Sequence, residues 1–215
     1  MRQKLIAEFF GTFTLVFAGT GAVIVDHFSG GAVTHVGVAL VFGLVVLAMI
    51  YTVGDISGAH LNPAVTLGFC LAGRFPKEGV LPYFGAQVVG GLAASGALSL
   101  MFPEDELLGA TLPAGSVGQS FAFEVILTLI LMVVILAVST GAKERGITAG
   151  IVVGSVIGLE AMFAGPVCGA SMNPVRSIAP AVVSGHLEHL WLYLVAPVLG
   201  AGCGVLVWRG MEERS

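Results

Sequence analysis

Few residues in this chain could do chemistry of the ordinary kind. Three carboxylates, Glu8, Glu124 and Glu160, fall inside long apolar runs, where an ionisable side chain is costly and is kept for a partner or a function. A single arginine, Arg176, stands among small and apolar residues. Cys70, Cys168 and Cys203 show no CxxC spacing, so they read as small buried hydrophobes and indicate neither a zinc site nor a disulfide framework. No nucleophile–base pair and no set of metal ligands recurs at a usable spacing, which points away from an enzyme and from any cofactor. The pattern with physical content is Asn-Pro, present twice, in Asn62-Pro63-Ala64 and Asn173-Pro174-Val175. Asn is a preferred N-cap and Pro is favoured at the first helical position. Each pair therefore reads as the start of a helix carrying about +0.5 of an elementary charge at that end. Two such ends facing one another would repel a cation, while the two amides offer donors to an oxygen lone pair.

The elements that must hold these residues follow from composition. Hydrophobic residues make up 56% and charged residues 10%, against about 45–50% and about 25% in soluble proteins. Such a chain cannot cover a soluble surface, and with a net charge of −4 it offers no basic face to a nucleic acid. The expected partner is the lipid bilayer. Runs of roughly the 20 apolar residues a membrane helix requires occur at 5–25, 36–53, 81–102, 119–140, 147–164 and 190–209. The first is read as a span, not a signal peptide, because no polar mature domain follows it. Two shorter apolar pieces, 62–72 and 173–184, are too short to cross and are expected to be re-entrant half-helices. With both termini inside, the cytoplasmic segments hold Arg2, Lys4, Arg74, Lys77, Lys143, Arg145, Arg209 and Arg214, as the positive-inside rule asks. Arg176 is the cation left on the outer side. The expected location is the plasma (inner) membrane, multi-pass, with both ends cytoplasmic.

The chain also repeats itself. Gly58-Ala59-His60-Leu61-Asn62-Pro63 aligns with Gly169-Ala170-Ser171-Met172-Asn173-Pro174 at a constant offset, which Gly54 and Gly165 share. Glu8 and Thr12 pair with Glu124 and Thr128, and Gly90 with Gly200. The unit is three spans plus one half-span, so residues 1–215 read as one domain with repeats over 1–102 and 119–209. Because three is odd, the second copy enters from the opposite face, an inverted repeat with its pseudo-two-fold in the membrane plane. The fold expected is all-α, six transmembrane helices plus two half-helices meeting near the midplane.

On Ala7-Glu8-Phe9-Phe10-Gly11-Thr12, Ser57 to Thr66 and Gly169 to Ser177, the chain resembles the aquaporin, or major intrinsic protein, family over nearly its whole length. In that family selectivity comes from pore diameter, lining hydrogen bonds and an arginine barrier. The resemblance implies a passive channel, assembled as a homotetramer, with a four-residue outer filter falling here on Phe42, Ala161, Ala170 and Arg176. Water-selective members carry His where this chain has Ala161. Glycerol-selective members usually carry Asp after the filter arginine, whereas Ser177 follows here, and the second motif reads Asn-Pro-Val, not Asn-Pro-Ala. Gly-Ala-Ser-Met-Asn-Pro with small filter residues looks most like the nodulin-like branch and its bacterial relatives. That implies water and small neutral solutes: glycerol and undissociated metalloid acids such as arsenite or boric acid.

Two other functions stand beside this one. A water-only pore would keep the same architecture. A small secondary transporter also uses inverted repeats and broken helices; against it, Glu8 and Glu124 are expected to accept N–H bonds from the loops before the half-helices, because irregular backbone at that depth must find partners. His60 has two readings, lining the inner vestibule or packing within its loop. Glu160 could meet water, a loop or a neighbouring subunit. His27, His35, His186 and His189 are expected near outer loops, as solvated surface or as pH-sensitive groups.

Overall fold

A computed structural model describes residues 1–139 and 143–212, with 143–147 described by backbone alone. Residue 140 of the fourth predicted span, the side chains of Lys143 and Arg145, and Arg214 lie outside the described residues. Six helices are long and apolar enough to cross a membrane. They are α1 (Arg2–Phe28), α2 (Thr34–Ser57), α4 (Val80–Met101), α5 (Val117–Val138), α6 (Lys143–Cys168) and α8 (Leu190–Glu212). The two half-helices are α3 (Pro63–Leu71) and α7 (Pro174–Ser184). Asn62 and Asn173 are their N-caps, with Pro at the first helical position in both.

Several helices run three or four residues past the expected bounds, among them α2, which ends at Ser57, and α6, which starts at Lys143. The fifth span was expected to end at 164, before Gly165-Pro166, yet α6 continues through Pro166 to Cys168. Proline is tolerated inside a membrane helix where a neighbour supplies the hydrogen bond it removes.

The packing repeats as the sequence does. α1 lies against α2 and α4, and α5 against α6 and α8 in the same manner. The half-helices cross over: α3 packs mainly on α8 of the other copy, and α7 on α4. Glycines set how closely these helices approach, as in membrane bundles generally. A Cβ on Gly90 would run into the Phe9 carbonyl of α1, and one on Gly200 into the Val125 carbonyl of α5. At the α2–α6 crossing the relation becomes reciprocal. A Cβ on Gly43 would lie 2.6 Å from the Gly154 oxygen, and one on Gly154 would lie 2.6 Å from the Gly43 oxygen. These two residues share the repeat offset of the Asn-Pro motifs, so the pseudo-two-fold passes between them. The inverted repeat is thus built into the contacts themselves. The outer surface carries large apolar side chains such as Phe28, Leu81, Leu100 and Leu206, a face suited to lipid and prone to association in water.

Candidate functional site

The half-helices are reached through two loops with an unusual backbone. Gly58 and Gly169 have φ of 90° and 81°, which glycine adopts without cost. Ala59, Leu61, Ala170 and Met172 also lie in the left-handed region, at 47°, 53°, 42° and 53°. A non-glycine residue held there costs about 1 kcal/mol or more, so surrounding contacts must impose it. Glu8 of α1 does this for the first loop. Its Oε1 accepts from the His60 N–H at 2.9 Å and the Ser57 hydroxyl at 2.7 Å. Its Oε2 accepts from the Leu61 N–H and the Gln87 amide, both at 2.8 Å. Glu124 of α5 does the same for the second loop, accepting from the Ser171 N–H at 2.7 Å and the Met172 N–H at 2.8 Å. Tyr83 and Tyr193, one from each copy, donate their hydroxyls to the Ser57 and Cys168 carbonyls at 2.8 Å.

With those N–H groups tied back, the carbonyls on the other side of each loop are left over. Among the described residues none donates to the oxygens of Gly58, Ala59 and His60, or of Gly169, Ala170 and Ser171. Five of these six residues, all but Gly169, border one cavity. A buried carbonyl has to find a partner, so these form two ladders of acceptors for whatever enters.

The Asn side chains meet across the pseudo-two-fold. The Asn62 amide donates to the Met172 carbonyl at 2.8 Å and the Asn173 amide to the Leu61 carbonyl at 2.9 Å. Each Oδ1 is spent on its own helix start, Asn62 capping the Ala64 N–H and Asn173 the Val175 and Arg176 N–H groups. A primary amide has two N–H donors, so each Asn keeps one for the cavity it borders. Pro63 and Pro174 stay buried behind the caps, with Ala64 and Val175 next in their helices.

Further along the same cavity stand Phe42 of α2, Ala161 of α6, Ala170 of the second loop and Arg176 of α7. Arg176 is 5% exposed. One guanidinium nitrogen donates to the Gly109 carbonyl at 2.8 Å, and the group lies over the Phe42 ring, 5.0 Å from its centre. Gly109 belongs to a turn between α4 and α5 that Asp105 closes by accepting the Leu108 N–H at 2.7 Å. The Nε of Arg176 has no partner among the described residues. A cation therefore stands fixed beside the passage with donor capacity to spare. The remaining wall, including Leu15, Val46, Val65 and Ile157, is apolar.

Phe42 is itself held in place from behind, because a Cβ on Gly19 of α1 would run into its ring. Gly19→Ala should drive the ring toward Arg176. We expect glycerol permeability to fall about fivefold with a smaller loss for water, since one methyl group in a tight pocket is worth about 1 kcal/mol or more. Vesicle swelling assays on the variant check this.

His60 lies between the cavity and its own loop. It borders the cavity, and it is also packed, with Nδ1 3.1 Å from the Thr66 hydroxyl and its ring stacked on Phe69 at 4.7 Å. Glu160 is 1% exposed, which removes the neighbouring-subunit reading, and neither carboxylate oxygen has a partner among the described residues. Of the outer histidines, His27 lies 3.6 Å from Asp105 and His35 meets a backbone carbonyl. Sequence reasoning missed Gln87, Gly109 and the two tyrosines. Only the tyrosines carried a signal, since they recur at the spacing that relates Gly90 to Gly200.

A family model described as "Major intrinsic protein" matches residues 1–208. The chain belongs to the major intrinsic protein family. It is 51% identical over 208 residues to aquaporin NIP1-1 of Zea mays, covering 96% of this chain and 74% of that one. It is 50% identical over 208 residues to aquaporin NIP1-1 of Oryza sativa subsp. japonica, covering 96% and 73%. Its fold matches the X-ray structure of the aquaglyceroporin from Plasmodium falciparum with a TM-score of 0.87, 27% identity and coverage of 96% and 95%. As a major intrinsic protein it is a multi-pass membrane channel and not an enzyme. Glu8 and Glu124 accept from the loop N–H groups, and no acid–base step is assigned to them.

Proposed function

We propose that this major intrinsic protein conducts water together with glycerol and compact uncharged hydroxylated solutes, including undissociated arsenite or boric acid, down their gradients. The observation that carries the proposal is the ring around Arg176: an aromatic wall at Phe42, a fixed guanidinium, and two methyl side chains, Ala161 and Ala170, bordering the same cavity. A trihydroxy solute sheds water there against the Arg176 donors and rests its carbon side on Phe42. It then passes along the loop carbonyls to the free N–H of Asn62 and Asn173. The apolar wall confines its hydrogen bonds to one side. A cation meets Arg176 and then two helix N-termini, each with its partial positive charge. The names of the relatives, aquaporins and an aquaglyceroporin, support the same solute class. We assign repeats 1–102 and 119–209 to a single channel domain, a homotetramer in the plasma (inner) membrane with both termini cytoplasmic.

The test is stopped-flow light scattering on proteoliposomes under sucrose and glycerol gradients. Shrinkage followed by protein-dependent re-swelling in glycerol is the expected result, with metalloid uptake assayed next. Shrinkage without accelerated re-swelling would reduce the protein to a water pore. Solute uptake driven by a proton or sodium gradient would overturn the channel reading in favour of a transporter.

A further inference from the structure

Pro166 interrupts the hydrogen-bond ladder of α6 four residues after Met162. A proline has no N–H to give the carbonyl four residues back, and its ring crowds that oxygen. The Met162 carbonyl is therefore orphaned, on a stretch whose exposed side chains, Leu159 and Phe163, are apolar. The carbonyl lies at the exposed surface of the bundle, beside those apolar side chains. The vacancy is filled from another helix. His35, in the first turn of α2, places Nε2 at 2.7 Å from the Met162 oxygen. The acceptor is a carbonyl, so the Nε2 nitrogen carries the proton.

Two further features are shaped around this bond. Gly165 leaves the space the ring occupies, since a Cβ there would lie 2.8 Å from His35 Cε1. Asp26 fixes the start of α2, its Oδ1 accepting from the Val33 N–H at 3.0 Å and the Thr34 N–H at 2.7 Å. A donor, its clearance and its footing thus converge on one backbone oxygen. That oxygen belongs to the residue after Ala161. Ala170 lies on the other side of Pro166, beyond the end of α6. The break in the ladder falls between these two wall residues.

We propose that His35 is a positioning residue for the pore wall. By donating to the carbonyl that Pro166 orphans, it fixes the relative placement of Ala161 and Ala170 and so the fit of polyols. This rests on the reading of those two alanines as the wide side of the solute filter. A loosened wall costs glycerol, which must meet several wall groups at once, more than it costs water.

The experiment is a double-mutant cycle in proteoliposomes, with thermal unfolding in detergent as a control for folding. His35→Ala should lower the ratio of glycerol to water permeability at least about threefold, a barrier change well below the cost of an unpartnered carbonyl. His35→Gln, whose amide can donate across the same gap, should keep the ratio. In Pro166→Ala the helix supplies its own N–H to Met162, so adding His35→Ala should leave the ratio of Pro166→Ala unchanged. A ratio unmoved by His35→Ala, or moved equally in both backgrounds, would overturn the proposal even if stability falls. Wild-type vesicles that pass water but no glycerol would instead sink the solute reading. The cycle would then be scored on water permeability, where coupling between positions 35 and 166 supports the anchor and additivity refutes it.

Discussion

A histidine at position 161 should cut glycerol permeability about tenfold or more, equivalent to about 1.4 kcal/mol of barrier, while water permeability changes far less. Ala161 borders the cavity with Arg176, whose guanidinium is held against Phe42 and Gly109. Neither of those partners can move far, because Phe42 is backed by Gly19 and Gly109 sits in the turn closed by Asp105. An imidazole entering from α6 therefore takes its volume from the passage. It also adds a donor facing the one on Arg176, which a single water can bridge and a three-carbon polyol cannot. Paired water and glycerol measurements on Ala161→His decide the matter. Equal losses for both solutes would mean that the narrowest point lies elsewhere, with the Asn62/Asn173 level the next place to look.

The second large effect concerns stability. Glu8→Gln should lower the thermal midpoint in detergent by about 5–10 °C, from about 2–3 kcal/mol of lost support. The substitution keeps the shape of the side chain and exchanges one acceptor for a donor. Both groups now aimed at that position, the Leu61 N–H and the Gln87 amide, are themselves donors. Gln87 can turn its amide over, because its own oxygen has no partner among the described residues. Leu61 cannot turn, since its N–H belongs to a backbone already held in the left-handed region. The cost falls on the loop that presents Asn62, so water permeability per folded molecule should fall as well. An unchanged midpoint would show that the loop keeps its shape without the carboxylate.

Much of this arrangement was legible in the sequence for definite physical reasons. Hydropathy over about 20 residues identifies a membrane helix because the bilayer sets its length. Asn-Pro marks the half-helices because capping chemistry is local. The repeat supplied the rest of the topology, since an odd number of spans inverts the second copy. The end of α6 was not legible. Gly165-Pro166 reads locally as a stop, and the group that meets the freed Met162 carbonyl is His35, which lies far away in the chain and meets it only in the fold. The same holds for Gly109. Nothing about a glycine in a turn between helices announces that its carbonyl will receive the Arg176 guanidinium. Gln87 was hidden for a related reason, because its counterpart in the second copy is Pro197 and the repeat gives it no echo.

That last asymmetry belongs to a pattern. Some positions at the seam have stayed alike: Gly43 opposes its own counterpart Gly154, and Asn62 and Asn173 each donate to the loop of the other copy. Some positions that look toward other neighbours have parted company, with Ser57 against Cys168, Val65 against Arg176 and Gln87 against Pro197. After a duplication, a residue that touches its own twin is not free to drift alone, because each change is felt by the other copy across the axis. A residue facing elsewhere carries no such tether. Where Gly43 meets Gly154, the seam thus acts as a brake on divergence. Arg176, the one arginine bordering the cavity among the described residues, stands where its ancestral twin had no say in what it became.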